Sequence, residues 1–407
     1  MRFLMVTSFY PPHHFGGDAT YVRQLSNALV TRGHDVDVVY CHDAYRASGG
    51  QVDVQATDAS SRATVTRLTS RFGLLSPLIS QQTGRPGLKA RALKSLFERP
   101  YDVVHFHNIS LIGGPSVLKM SRAPVTLLTA HDHWLVCASH IFWKNDAKTC
   151  DGRQCLRCQI KSRKPPQLWR HTGQLARALE NVDRIFAPSA FTRQALLDQG
   201  VSRPISVLPL FAPAAFDELA PARPPERPYF LFVGRVTRSK GIAALAALFR
   251  QRPAYDLRIV GDGDYLATLK TACEDMPNVI FEGRMDQEDL RGLYRNARAS
   301  MLPSIAPETF GLTTVEAFSQ ATPAIVRAAG AAGETVTASG AGFVYKTGQE
   351  ALAAMDRLAG DAELRAQMGR AAQEAYRAHY TEAGHVDAYL AEIGQPAGAA
   401  LFERAPA

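Results

Sequence analysis

RFLMVTS (residues 2–8) and HDVDVVYC (34–41) flank a loop, Phe9 to Gly17, and an amphipathic stretch from Ala19 to Arg32. The first run is short, apolar and β-prone. The middle stretch repeats its apolar positions at helical spacing, and Gly33 stands where a helix stops. Strand, helix and strand at this spacing predict a parallel α/β unit. The same alternation continues, with strands expected at 63–68, 101–105, 125–130, 183–187 and 205–208.

Around Leu210 to Pro228 the pattern changes. FAPAAFDELAPARPPERP is rich in proline and has no periodic apolar face, which places a linker at 211–228. A second alternation starts at Tyr229, with strands at 229–233, 256–260, 278–282, 299–302 and 323–327. Helical runs centre on 240–250, 264–274, 287–297, 313–320 and 348–380. The reading is two doubly wound α/β domains, 1–210 and 229–380, with strand C-termini facing one cleft. Residues 381–407 form a last helix, His385 to Ile393, which is expected to pack back on the first domain, and a frayed tail.

Length and composition agree with this division. A chain of 407 residues exceeds one comfortable core, and 46% hydrophobic content is globular. No run of 18 apolar residues is present, and MRFLMVTSFYPPHH reads as a first strand, not a signal peptide. A cytoplasmic location is expected, with the six cysteines reduced. The net charge of +8 suits phosphate-bearing ligands or an anionic membrane face. No nucleic-acid-binding motif accompanies it.

Four glycine turns follow strands in the second half. Phe232-Val-Gly-Arg235 precedes Lys240-Gly241, aiming a guanidinium fork and a point charge at one region, as a diphosphate requires. Gly261, within Val260-Gly-Asp-Gly263, and Arg284, within Glu282-Gly-Arg284, come next; the dinucleotide spacing of glycines is missing, which disfavours hydride transfer. PSIAPETFGLTTVE (303–316) then sets Glu308 and Glu316 on either side of Phe310, Gly311, Leu312 and Thr313. A tight turn into a helix N-terminus is a ready anion site, although one such turn alone is equally an ordinary connection.

In this order, the motifs resemble those of the family 4 retaining glycosyltransferases of the GT-B fold. Tyr10-Pro-Pro, Gly16-Gly17, Arg32-Gly33-His34, Asp102-Val-Val-His105 and His131-Asp132 extend the resemblance through the first half. It implies that Arg235 and Lys240 clamp the donor diphosphate and that Glu316 accepts hydrogen bonds from the nucleotide ribose. Glu308 would stand beside the donor sugar. Gly311, Leu312 and Thr313 would offer backbone N–H groups, Gly17 would let the first loop approach phosphate, and His131 would face the sugar with Asp132 orienting it. Retention of anomeric configuration is implied as well. The sequence departs from the family at 329–334, AGAAGE, where many members have Gly-Gly-x-Pro-Glu. Asp35-Val-Asp37 falls in a strand and Asp262-Gly-Asp264 in a glycine turn, so no metal cofactor is required for catalysis.

Two features fall outside that frame. In the insertion 131–171, Cys137, Cys150, Cys155 and Cys158 are spaced C-x12-C-x4-C-x2-C. Four thiolates could close a structural zinc site; four reduced cysteines, some buried, are the alternative. The HD-x-W-x-x-C start resembles a polysaccharide and lipopolysaccharide-building subset of the family. Between 71 and 97, an apolar run leads into a basic helix, with Leu88, Ala92, Leu93, Leu96 and Phe97 on one face and Lys89, Arg91, Lys94 and Arg99 around it. That helix fits either an anionic membrane surface or the protein's own sheet. The expected activity is transfer of a sugar from a nucleotide-diphosphate donor to a glycan or lipid-linked acceptor in surface-polysaccharide assembly, at the inner face of the membrane. The rivals are an epimerase or phosphorylase on the same fold and a non-catalytic nucleotide-sugar-binding scaffold.

Overall fold

The computed structural model describes residues 1–394 except 54, 146–147, 153, 162–164 and 213–225. Among the described residues the chain divides into two compact units, Met1–Leu208 with Val386–Gly394, and Pro209–His385. Most of the proline-rich linker, and the tail after Gly394, lie outside the described residues.

The first unit holds β1 (Arg2–Val6), β2 (Asp35–Cys41), β3 (Thr64–Leu68), β4 (Val103–Phe106), β5 (Val125–Thr129), a small hairpin of β6 (Trp143–Lys144) and β7 (Lys148–Thr149), then β8 (Arg184–Ala187) and β9 (Ile205–Val207). Seven of these make one sheet in the order β3-β2-β1-β4-β5-β8-β9. Every pairing in it is parallel. Central strands read as unbroken apolar runs, such as Phe3-Leu-Met-Val6, because helices cover both faces of a parallel sheet.

The second unit has β10 (Tyr229–Val233), β11 (Asp256–Val260), β12 (Val279–Gly283), β13 (Ser300–Leu302), β14 (Ala324–Arg327) and β15 (Gly342–Tyr345). Their order, β12-β11-β10-β13-β14-β15, reverses direction between β10 and β13. In such sheets ligands bind beyond the strand C-termini at that switch point, and the β10 and β13 ends carry Gly234-Arg235 and Pro303-Ser304. The helical run expected over 348–380 is two helices, Gly348–Gly360 and Ala362–His379. Asp361 separates them by capping the second, its side chain accepting from Leu364 N–H at 2.9 Å.

The last helix, Glu382–Ile393, contributes its later residues to the first unit. Tyr389 is fully buried there, its hydroxyl 3.0 Å from His105 Nδ1. Arg184 on β8 pairs with Glu392, and both side chains are buried.

The helix Ala90–Phe97 puts Leu93, Leu96 and Phe97 into the sheet's core. Lys89 is not outward-facing as its place in the basic run suggested; it is buried, its Nζ donating to Ser76 Oγ at 2.9 Å and Ser76 O at 3.1 Å. Ala92 is exposed. The apolar side chains left in solvent are upstream: Phe72, Leu74, Leu75 and Leu78, with Leu88.

Candidate active site

Glu308 is assembled by three segments at the β10–β13 switch point. Its carboxylate Oε1 lies 2.6 Å from Lys240 Nζ and accepts from Ser304 Oγ. Lys240 ends a single helical turn, Arg238–Lys240, and Gly241 then starts the helix Ile242–Arg250. The turn is held against the β13 loop by Ile305 N–H and Ala306 N–H, both donating to Ser239 O. Burial works against the Glu308 charge, yet Lys240, Ser304 and the Arg235 guanidinium hold it below the usual carboxylate range. Lys240 and Glu308 therefore stand as an ion pair with partly exposed heads, 24% and 18%.

The backbone of Glu308 is held from the other side. It bridges Gly330 in parallel, and its carbonyl accepts from Ala331 N–H at 2.9 Å. Gly330 has φ +81°, and a Cβ there would lie 2.4 Å from Glu308 N and 2.5 Å from Glu308 O. Only glycine fits that approach. The segment where the sequence departs from the family pattern thus keeps the one glycine that the Glu308 backbone needs. Ala331 needs only its N–H. Gly333 sits in the helix Ala331–Ser339, where an added methyl would have just Val344 Cγ1 within 4 Å.

Beyond Glu308, Gly311 turns the chain with φ +87° into the helix Leu312–Ser319. The backbone N–H groups of Leu312 and Thr313 fall in its first turn, where no intrahelical carbonyl reaches them. Phe310 is buried with its ring against Tyr380, so its side chain serves the core. Glu316 projects one turn into the helix, its Oε2 accepting from Tyr294 Oη at 3.0 Å. Burial pushes its carboxyl up to about 7, against the lowering effect of that hydroxyl. A proton held up to about pH 7 in the folded state, and lost near 4.5 in the unfolded chain, makes stability fall as pH rises between those values. Glu316→Gln should remove that slope. Urea melts at pH 5 and pH 8 should show the variant gaining stability relative to wild type at pH 8 only.

Arg235 follows β10 and is exposed. Gly261 follows β11 and donates its N–H to Gly283 O at 2.7 Å. Arg284 is exposed and 3.5 Å from Asp262.

In the first unit, Gly17 is the exposed first residue of the helix Gly17–Thr31. His131 follows β5. The carboxylate of Asp132 accepts from Trp134 N–H at 2.8 Å and meets His140 Nδ1 at 2.8 Å. The group hydrogen-bonded to His131 Nε2 is His107 Nδ1, at 3.0 Å.

All six cysteines are free thiols. Cys158 Sγ lies 3.3 Å from Asn145 N, and Cys137 Sγ lies 3.2 Å from Ser139 Oγ. Among the described residues, no three His, Cys, Asp or Glu side chains are gathered so as to hold a metal ion.

Sequence reading gave no role to Ser304, Tyr294 or His107, and named Gly330 only as part of the departing loop 329–334. Ser304 lay inside the quoted stretch, four residues before Glu308. Alternation along β4 puts His107 on the same face as His105, a signal that was there to use. Nothing local marks Tyr294.

Residues 217–375 match the family described as "Glycosyl transferases group 1", and residues 15–216 match "Glycosyltransferase Family 4". The chain is 28% identical to the glycogen synthase of Mycobacterium tuberculosis over 351 residues, covering 83% of this chain and 80% of that one. Sucrose-phosphate synthase from Thermosynechococcus elongatus shares the fold with a TM-score of 0.73 and 20% identity, over 96% of this chain and 98% of the other. HepE of Anabaena, solved in complex with UDP and glucose, superposes with a TM-score of 0.66 at 16% identity over 97% and 100% of the two chains. With two such sheets and these matches along nearly its whole length, the chain belongs to the GT-B glycosyltransferases of family 4.

Proposed function

We propose that this glycosyltransferase takes a sugar from a nucleoside diphosphate donor and transfers it with retention to a glycan or lipid-linked acceptor of a surface polysaccharide. The observation that carries the reading is the Lys240–Glu308 pair beside Arg235 and the Leu312–Ser319 helix N-terminus. Lys240, Arg235 and the backbone N–H groups of Leu312 and Thr313 would neutralise the diphosphate as its bond to the anomeric carbon breaks. Glu308 keeps Lys240 extended and, as a carboxylate, faces positive charge developing on the sugar. Glu316 would accept from the ribose hydroxyls; because an ionised carboxylate accepts more strongly, nucleotide binding near pH 7 should release a proton. His131, on the first unit, would face a sugar, as the family resemblance implies. No divalent cation has a role in this scheme, and the four insertion cysteines are assigned none in catalysis.

A panel of UDP-, GDP- and ADP-sugars, with proton NMR of the product's anomeric signal, tests the proposal. Release of nucleoside diphosphate with an unchanged anomeric configuration is expected for one donor. Epimerised donor, or an inverted product, would overturn it. Binding without turnover of any donor in the presence of lipid-linked and glycan acceptors would favour the scaffold reading.

A membrane-facing acceptor is supported by the exposed Phe72, Leu74, Leu75 and Leu78, which lie between the exposed Arg71 and Arg85. Apolar side chains flanked by cations fit an anionic bilayer surface. Among the described residues no helix is long and apolar enough to cross a membrane, so the contact would be interfacial. Flotation with phosphatidylglycerol vesicles should recover the protein, and Phe72→Ser with Leu74→Ser should reduce recovery at least about tenfold. Equal flotation on neutral phosphatidylcholine would contradict the charge argument.

A further inference from the structure

A helix on the surface of a folded chain turns its apolar residues inward and its polar ones outward. Two helices of the first unit do the reverse. In Leu75–Thr83 the buried side chains are Ser76, Pro77 and Ser80, while Leu75 and Leu78 are exposed. In Cys155–Lys161, inside the insertion, the buried residue is Gln159. Its amide donates to Pro165 O at 3.1 Å and accepts from Gln167 N–H at 3.2 Å. Leu156 and Ile160, four residues apart and so on one face, are exposed, Ile160 by 63% against 60% for Phe72.

One short turn, Leu168–His171, ties these two helices together. Gln167, bonded to Gln159 of the insertion helix, precedes Leu168. Trp169 follows it, and its indole Nε1 donates to Gln81 O of the helix Leu75–Thr83 at 2.8 Å. Gln174 adds bonds to Thr83 O at 3.1 Å and Gly84 O at 2.9 Å. Leu168, between the two anchored residues, is 63% exposed. A bare leucine therefore stands between two helices that both leave apolar side chains in solvent.

Charge selects the partner. Residues 59–97 and 152–179 contain no Asp or Glu, and each stretch holds seven Lys or Arg. Arg71, Arg85, Arg157 and Lys161, next to the bare apolar residues, are exposed. A second copy of this chain would set those cations against their own kind. An anionic bilayer accepts both features, the apolar side chains at the acyl boundary and the cations among the headgroups.

We infer that the insertion helix Cys155–Lys161, with Leu168, is a second foot on an anionic bilayer beside the one at 72–78. The inference rests on the membrane-facing acceptor proposed above. It gives the insertion a task outside catalysis: two linked contacts hold the first unit on the bilayer more tightly than either alone.

Flotation of the full chain with phosphatidylglycerol vesicles tests it on three proteins: wild type, Phe72→Ser with Leu74→Ser, and Leu156→Ser with Ile160→Ser. Each double variant should lower recovery at least about fivefold. Unfolding midpoints should not change, because all four side chains are exposed. Ile160→Trp reads the contact without removing it. Brominated phosphatidylglycerol vesicles should quench its fluorescence beyond the quenching seen for the native tryptophans. Wild-type recovery of the Leu156–Ile160 variant, or no added quenching at position 160, would overturn the inference. If only the Phe72–Leu74 variant loses recovery, the membrane reading stands and the second foot falls. If wild type does not float, both fall. Self-association of wild type in ultracentrifugation that the Leu156–Ile160 variant abolishes while still floating would assign the face to a second copy and overturn the inference as well.

Discussion

Replacing Lys240 with Ala should lower sugar transfer by about 10²–10³-fold, the usual cost of removing one charged donor aimed at a developing anion. Glu308→Gln should lose a comparable factor, because its carboxylate holds Lys240 and, in the proposed scheme, faces the sugar. The two effects should not add. Each single variant leaves the other head mispaired, so the double variant should be only slightly slower than the worse single one. Initial rates with saturating donor measure this. Wild-type rates in both single variants would remove the pair from the chemistry, and strict additivity would show that the pair does not act as a unit. Neither change should unfold the protein, since both heads are partly exposed.

Gly330→Ala is expected to cost both stability and activity. The added methyl would collide with the backbone of Glu308 and Pro307, atoms that cannot swing aside, and φ +81° strains any L side chain. A loss of about 1–3 kcal/mol follows from the strain alone, and the Glu308 carboxylate moves with its backbone. Gly333→Ala supplies the contrast three residues away. It meets only Val344 Cγ1 at 3.7 Å inside a helix, where Ala should stabilise by about 0.5–1 kcal/mol. Denaturant midpoints should fall for the first variant and rise for the second, and only the first should lose transfer rate. Equal midpoints would mean that the Gly330–Glu308 bridge is not what fixes the loop.

The contrast between these glycines marks what the sequence made legible. The α/β class and the parallel sheets were readable because buried parallel strands must be continuous apolar runs, and because Gly33 punctuates the first unit so clearly. Glu308 and Glu316 were readable as a pair because the glycine turn and helix start between them are local. What holds each glutamate was not, beyond Ser304 in its own loop, since Lys240 and Gly330 reach Glu308 from two other segments, and Tyr294 reaches Glu316 from a different helix. Sequence proximity suggested Asp132 as the partner of His131, whereas strand adjacency supplies His107. Helical periodicity could not tell a helix docked on its own sheet from one facing lipid. The buried Lys89, satisfied by Ser76, shows that a basic residue flanking an apolar face need not point to solvent.

Calorimetric titration of nucleoside diphosphates into the full chain tests the central claim most directly. The account predicts one site per chain for UDP, GDP or ADP. Affinity for that ligand should fall at least about tenfold in both Arg235→Ala and Lys240→Ala. The heat in buffers of differing ionisation enthalpy should reveal a proton released near pH 7 by Glu316. Absence of binding to all three diphosphates, or binding indifferent to both substitutions, would contradict it.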